Sequence, residues 1–490
     1  MRHVLSLIFC ASLCVGQILN IVAHQDDDIL FLSPDLIHYI QAGYEVRTVF
    51  LTAGDSGFGE SYWRGREDGS RTAYAVMSDS SNSWIEKDAG IPGHKVPLFR
   101  LKANLNISLV FLRLPDGNVP GQGFNTTGFE SLQKLWEGNI TSMRTVSGSG
   151  SYTKNELINT LVHLLDDFQP ERVNTQDYVH QYGDGDHSDH HTTAYFVAEA
   201  LKTYYNGGPA LTGYMGYPVI NATANVVGTD LLAKKFAYYA YGRSDQYVCD
   251  NDLACEGDAL GAFYAQWLER QHTLDEAPIA NAGQAQFAGL NAVVTLDGSA
   301  SWDANDALIY EWMQIGGPPV DLTDSETSRP SFTTPAKPDT FVFELVVSNG
   351  QTSSPAAVTV TTLRYAENIA PKARVTASSS NATSGQTSDK AIDGSITGFP
   401  ADYSHEWATE GGKAGSWLRL SWAAPQTISN IALYDRPNLD DHITGAIIEL
   451  DDEEIELGEL SNSGTVKVVD VGERTVHNVT VKITAVSLVT

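Results

Sequence analysis

Positive charge is scarce in this sequence. Only 31 Lys and Arg stand against 60 Asp and Glu, a formal net charge of −29 at pH 7 over 490 residues. Phosphate backbones and anionic lipid surfaces are recognised by concentrated Lys and Arg, so neither nucleic acid nor an acidic membrane surface is expected as a partner. Long apolar runs are also missing: beyond the N-terminus nothing approaches the ~20 residues of a membrane-spanning helix. The one N-terminal run, Val4 to Val15, follows Met1-Arg2-His3 and ends among small residues at Cys14 to Gly16. It has the basic, apolar and small-residue parts of a secretory signal, residues 1–16, with cleavage before Gln17; a retained N-terminal anchor is the alternative. Cysteine is scarcer still, four in all. Cleavage removes Cys10 and Cys14. It leaves Cys249 and Cys255, which either close one small disulfide loop in an oxidising compartment or remain a free buried pair.

What is present is ordinary globular composition, 42% hydrophobic and 19% charged. The length exceeds one core and suits about three domains. Asn-x-Ser/Thr sequons at Asn106, Asn125, Asn139, Asn221, Asn381 and Asn478 suit a glycosylated, secreted protein, the cell wall included among its extracellular destinations.

Residues 17–275 alternate strand-like and helix-like segments. Ile18–Ala23 reads as a strand. Helical spacing over Pro34–Ala42 ends at Gly43, and Glu45–Ala53 is a second strand before the turn Gly54-Asp55-Ser56-Gly57. Arg71–Met77 belongs to a helix, and Leu109–Leu114 is a strand closed by Pro115-Asp116-Gly117. Thr153-Lys154-Asn155-Glu156 has the form of a capping box and opens a helix through Phe168. A polar loop then leads into a helix over Asp189–Tyr205. Strands alternating with helices predict a mostly parallel, Rossmann-like sheet covered on both faces, with ligands bound beyond the carboxyl ends of its strands.

At such an end lies Ala23-His24-Gln25-Asp26-Asp27-Asp28. His24 and Asp27, where a strand gives way to a loop, can turn to one point while Asp26 points elsewhere. That offers two metal ligands with a free carboxylate beside them. Asp184-Gly185-Asp186-His187-Ser188-Asp189-His190-His191 supplies a third ligand, His190. Zinc sites that catalyse hydrolysis use three protein ligands and leave the fourth position to water. Asp26 then serves as the base, and His187 as the donor to the developing oxyanion or the leaving amine. Each motif alone reads more simply, as a strand end or a solvated acidic loop; their joint occurrence favours the metal site. Zinc suits the nitrogen and carboxylate donors, although iron or cobalt tolerates the same set.

The pair Ala-His-x-Asp-Asp and His-x-Asp-His resembles the PIG-L/LmbE-like family of zinc-dependent de-N-acetylases, which act on N-acetylglucosaminyl compounds. The resemblance covers about 17–275. It implies that His24, Asp27 and His190 bind one catalytic zinc, that Asp26 is the general base and that His187 stabilises the transition state. Arg64-Gly65-Arg66-Glu67 matches the family's Arg-x-x-Glu, and Pro115-Asp116-Gly117 its later turn. Arg64 and Asp116 are thereby implied as substrate contacts, with Arg66 the second choice for the Arg. A surface salt bridge and a plain turn residue are their respective alternatives. Gln25 stands where the family commonly has Pro, and Asp28 where it often has Glu.

Two all-β sandwich domains follow. Residues 278–363, with Leu296-Asp297-Gly298-Ser299 and Tyr310-Glu311-Trp312, resemble a PKD-type immunoglobulin-like sandwich, Trp312 being a core residue. Its strands are predicted at Val293–Leu296, Leu308–Trp312 and Phe341–Val347. Residues 372–490 carry Ala391-Ile392-Asp393-Gly394, Glu406-Trp407-Ala408-Thr409, Trp417–Trp422 and Leu433–Asn438. They resemble a discoidin-type, galactose-binding jelly roll, in which loops can bind sugars and a structural Ca2+ is common. Asp435, Arg436 and Asn438 are the loop candidates there; otherwise they hold the fold, with Arg436 paired to a carboxylate. The expected whole is a multidomain secreted hydrolase that removes N-acetyl groups from a glycan or glycoconjugate. Its rivals are a carbohydrate-binding protein with a vestigial catalytic domain and an amide hydrolase of another secreted metabolite.

Overall fold

The structure is a computed structural model describing residues 16–204, 208–257, 261–303, 308–364, 367–395, 403–436, 442–461 and 466–487. Residues 1–15 of the expected signal and Asn438 lie outside the described residues.

Strands apolar on both sides must be covered on both sides, and the first part of the chain is built on that requirement. β1 (Gln17–Val22) and β2 (Glu45–Thr52) pair in parallel. β3 (Trp84–Asp88) and β4 (Pro97–Leu101) make an antiparallel hairpin against β5 (Ile107–Leu114), which is parallel to β2. A small ladder, β6 (Met143–Arg144) with β7 (Ser151–Tyr152), stands apart, while β8 (Arg172–Thr175) and β9 (Ala210–Gly213) continue the parallel sheet. The order β3-β4-β5-β2-β1-β8-β9 makes the sheet mixed, five parallel strands with an antiparallel edge.

Alternation along each strand divides the core in two. Ile18, Val22, Val46, Phe50 and Phe111 enter one apolar cluster; Leu19, Ile21, Val49, Leu51 and Val110 enter the other. The first face is covered by α1 (Asp27–Phe31), α2 (Asp35–Gln41) and α3 (Glu60–Met77). The second is covered by α4 (Leu132–Glu137), α5 (Lys154–Phe168) and α6 (Ser188–Thr203). The chain then returns to the first face with α7 (Gly228–Gly242), α8 (Asp252–Gly257) and α9 (Gly261–Leu268). The capping box predicted for α5 is present: Thr153 accepts from Glu156 N–H, and Glu156 accepts from Thr153 N–H at 2.8 Å. Cys249 and Cys255 are joined in a disulfide, which settles the choice left open above.

The sheet is polar at one internal row. Asn174 donates to Asn20 at 2.9 Å and Asn20 to Thr48 at 3.0 Å, across three adjacent strands. Tyr74 of α3 meets Thr48 and donates to Asp28 at 2.5 Å, so this row runs directly to the strand-end motif. Burial pushes the Asp28 carboxyl up to about 8 against that hydrogen bond.

β5 breaks its register with β2 near its carboxyl end, and Arg113 there has φ +61°. A bulge of this kind re-aims the chain that follows it. Here it turns Pro115-Asp116-Gly117 over the sheet end, while the Arg113 guanidinium closes a two-point pair with Glu67 at 2.6 and 2.8 Å.

Four strands, β10 (Gln286–Gly289), β12 (Ile309–Gly316), β14 (Thr340–Ser348) and β15 (Ala356–Leu363), form one sheet of the second domain. β11 (Val293–Thr295) pairs with β13 (Ser331–Thr333), and Trp312 sits in the core between them. In the third domain β16 (Arg374–Ala377), β17 (Trp417–Leu433), β18 (Ile443–Leu450), β19 (Glu453–Glu456) and β20 (Lys467–Val486) make one five-stranded sheet among the described residues. Trp417–Trp422 and Ile431–Leu433 are parts of the single long β17, which passes two register shifts against β20. Arg436 donates to Glu406 at 2.7 Å and Asp435 accepts from Ile443 N–H at 2.8 Å, so both take the fold-holding arrangement. Of the sequon residues, Asn125, Asn139 and Asn221 are exposed, and Asn106, Asn381 and Asn478 partly buried. Among the described residues no helix is long and apolar enough to cross a membrane.

Removing Arg113 leaves the buried Glu67 carboxylate with only the more distant Arg64, 3.9 Å away. Arg113→Met should therefore cost ~3–5 kcal/mol in denaturant unfolding, with Glu67→Leu/Arg113→Met together recovering most of it. Equal losses in the single and double variants would mean that the pair does not anchor α3.

Candidate active site

β1 delivers Ala23 and His24 at its carboxyl end, and α1 starts three residues later. Asp26 takes the N-cap position without capping, and Asp27 and Asp28 occupy the first turn, where carboxylates suit the helix dipole. Asp27 folds back on the strand end, accepting from His24 N–H at 2.6 Å. Its two oxygens face two imidazoles: Oδ2 lies 3.1 Å from His24 Nδ1 and Oδ1 3.0 Å from His190 Nε2. The three residues are buried, and each offers a ligand atom within 4.8 Å of the others. Two imidazole nitrogens and a carboxylate are the donor types of hydrolytic zinc sites. The donor set therefore fits a divalent metal ion.

The rest of each ring is also held. His190 Nδ1 lies 2.7 Å from Asp186, and His24 Nε2 lies 3.3 Å from Asp189, so each imidazole turns its second nitrogen to a carboxylate. Such outer carboxylates orient metal-binding histidines and raise their basicity. Burial pulls both imidazoles down, but Asp27 with Asp189 and Asp186 outweighs it. His24 is held well above the usual value and His190 at about 10. For Asp27, burial is outweighed by the two rings, and its carboxyl lies well below the ordinary range. The cluster thus holds positive charge beside Asp27, as protons on the rings or as a metal ion. His24, Asp116, His187 and Asp189 make a second buried group sharing His24. In it Asp189 already accepts from Gly117 N–H at 2.7 Å.

Asp26 faces a cavity of about 250 Å³ also lined by His24, Arg66, Asp116, His187, Tyr217 and Asp245. Arg66 clamps it from α3, Nη2 to Oδ1 at 2.5 Å, while donating to Gly54 O at 2.8 Å and Tyr241 at 2.6 Å and pairing with Asp245 at 3.1 Å. Burial lifts the Asp26 carboxyl above its ordinary value despite the Arg66 charge. His187 caps α6. Its Nδ1 accepts from Asp189 N–H at 3.1 Å, so the neutral ring carries its proton on Nε2, 3.6 Å from Asp116. Burial, then the neighbouring His24, pushes this imidazole down to about 4. Asp116 accepts from Asn118 N–H and from Ser56.

Arg64 is not brought to the cavity. It projects from α3 into solvent and pairs with Glu60 at 3.1 Å, the salt-bridge alternative. Two residues further on, about 200° around the helix, Arg66 lies on the buried face with Trp63, Glu67, Ser70 and Tyr74. That i, i+3, i+4, i+7 pattern was available in the sequence. Asp186, Asp189 and Asp245 went unassigned there; the first two stand inside the second motif and act on the rings of the two motifs. Asp55 holds the Asp116 turn, accepting its N–H at 2.8 Å. His191 turns away, to Asp177 O and Asp184.

Comparison with known proteins adds a family to this geometry. Residues 19–201 match the model of GlcNAc-PI de-N-acetylase, PIG-L. These residues form a PIG-L de-N-acetylase domain. The match spans both motifs, His24 to Asp27 and His187 to His190, but ends before Asp245. Residues 282–362 match a PKD domain, and 368–490 a domain of unknown function, DUF7402. No curated protein compared with the chain matches it. Similar solved structures include a family 32 carbohydrate-binding module of C. perfringens NanJ in complex with galactose. It is 18% identical over 24% of this chain and 87% of that one, with TM-score 0.20. Chitosan-binding module 1 from a Paenibacillus sp. IK-5 chitosanase/glucanase is 20% identical over 24% and 87%, TM-score 0.20. The PKD domain of the KIAA 1837 protein is 31% identical over 17% and 83%, TM-score 0.16.

If Asp186 orients His190, then Asp186→Asn should weaken zinc affinity ~10–100-fold in a competition titration with a chromophoric chelator. His190→Ala should abolish stoichiometric binding. Wild-type affinity in both variants would remove His190 from the centre.

Proposed function

We propose that this chain is a secreted, zinc-dependent hydrolase removing N-acetyl groups from N-acetylglucosamine or related N-acetylhexosamine units of a glycan or glycoconjugate. The observation that carries the reading is the clamped Asp26 carboxylate facing the cavity beside the His24, Asp27 and His190 donors. Those three would hold the metal, which when bound supplies a Lewis acid that polarises the amide carbonyl and acidifies water.

The chain's own residues do the rest. Asp26, with its affinity for protons lifted by burial, takes a proton from the attacking water and passes it to the departing amine nitrogen, leaving acetate and a free amine. Arg66 fixes the direction of that carboxylate. His187 presents Nε2–H to the cavity and donates to the oxygen as it gains negative charge; its neutral tautomer is set by the Asp189 N–H. Asp116 retains lone pairs beyond those taken by Asn118 and Ser56, and these can accept from sugar hydroxyls. The signal segment, the sequons and the Cys249–Cys255 disulfide support an extracellular place of work. Short motifs shared with galactose-binding modules support a polymer-holding role for residues 372–490.

Asp26→Asn should lower kcat for acetate release from N-acetylated sugars by ~10²–10⁴-fold. Metal content, read by atomic emission, should be unchanged. Turnover near wild type in that variant would take the base role from Asp26.

A further inference from the structure

The mouth of the cavity carries a feature that the hydrolysis does not use. Phe58 and Tyr247 leave 48% and 46% of their surface open. Exposed apolar rings gathered together mark binding surfaces, whereas scattered ones do not. These are gathered: Phe58 stacks on Tyr247 with centroids 4.9 Å apart and 17° between planes, and Tyr62 meets both edge-on at 5.1 and 5.3 Å. All three line the same cavity as His24, Asp26 and His187, although they come from the turn after β2, the start of α3 and the segment after α7.

Tyr247 is tied to Asp26 through Asp245 and Arg66, and Phe58 is fixed by its own turn. Phe58 N–H donates to Asp55 O at 2.7 Å across a turn where Gly57 has φ +77° and an added Cβ would lie 2.8 Å from the Phe124 ring. Asp245 accepts from Tyr247 N–H at 3.1 Å through one oxygen, and through the other pairs with Arg66 at 3.1 Å. The disulfide starting at Cys249 closes the loop just beyond. The platform is thus preorganised with respect to Asp26.

Size decides what it meets. At about 250 Å³ the cavity is just below the ~300–1,000 Å³ of common small-molecule sites. One monosaccharide fills it, and a neighbouring unit must sit at the rim. We propose that Phe58, Tyr62 and Tyr247 form a subsite that stacks the sugar ring adjoining the unit to be deacetylated, making the enzyme selective for oligosaccharides over the free monosaccharide. The hydrophobic C–H face of a pyranose lies on such rings. Ser56 and Asn118 beside them are suited to its hydroxyls rather than to an acyl tail. Only the identity of the inner unit rests on the proposed de-N-acetylase reading.

The test compares N-acetylglucosamine, triacetylchitotriose and octyl N-acetylglucosaminide on the zinc-loaded full chain, by acetate release and by titration calorimetry. In Phe58→Ala and Tyr247→Ala the preference for the trimer over the monomer should fall about tenfold, the size of one aromatic stacking contact. Tyr247→Phe should retain it. Equal weakening of monomer and trimer, or an effect confined to the octyl compound, overturns the subsite. If no sugar releases acetate yet trimer binding still falls in the alanine variants, the subsite stands and the hydrolase reading fails. If acetate is released and the wild type shows no advantage for the trimer, the reverse holds.

Discussion

A carboxylate removed from water must find positive charge, and Asp27 has two imidazoles to supply it. With His24 Nδ1 at 3.1 Å and His190 Nε2 at 3.0 Å, all of them buried, the cluster is stable only with protons or a metal ion inside it. Everything around it serves that arrangement. Asp186 and Asp189 hold the far nitrogens of the rings, and Asp27 itself is tied to the strand end by the His24 N–H.

The fold brings these groups together from far apart in sequence. Parallel strands end at one edge, so the chain beyond β1, β2 and β5 converges there, and α6 enters from the other face with His187 and His190 on its first turn. α3 contributes through adjacent residues with different tasks: Arg66 clamps Asp26, and Glu67 locks the bulged Arg113. The bulge in turn aims Asp116 at the cavity. The direction of the Asp26 carboxylate and helix packing are thus coupled through one turn of one helix.

Much of this was legible in the sequence. β1, β2 and β5 are rich in buried β-branched and apolar residues, and the α5 capping box has a local signature, so these elements were found close to their observed bounds. The buried His24, Asp27 and His190 group was legible because two motifs carry it at strand and helix ends. A motif specifies order but not helical phase; the buried stripe through Trp63, Arg66 and Ser70 puts Arg66 rather than Arg64 at the cavity. The β3–β4 hairpin escaped notice because it is partly exposed and its alternation is weak. The helices after residue 227 and Asp245 have no local signature for their place, which is set by packing against α3 and by the Arg66 pair. The long β17 stays one strand through a polar middle, around Pro425, that in sequence resembles a turn.

The central claim is convergence of His24, Asp27 and His190 on one ion. X-ray absorption at the zinc edge of the loaded full chain tests it most directly. The account predicts a nitrogen/oxygen shell at ~2.0–2.1 Å with multiple-scattering features of two imidazoles, falling to one in His190→Ala. A shell of oxygen alone, or imidazole scattering unchanged in that variant, would contradict it.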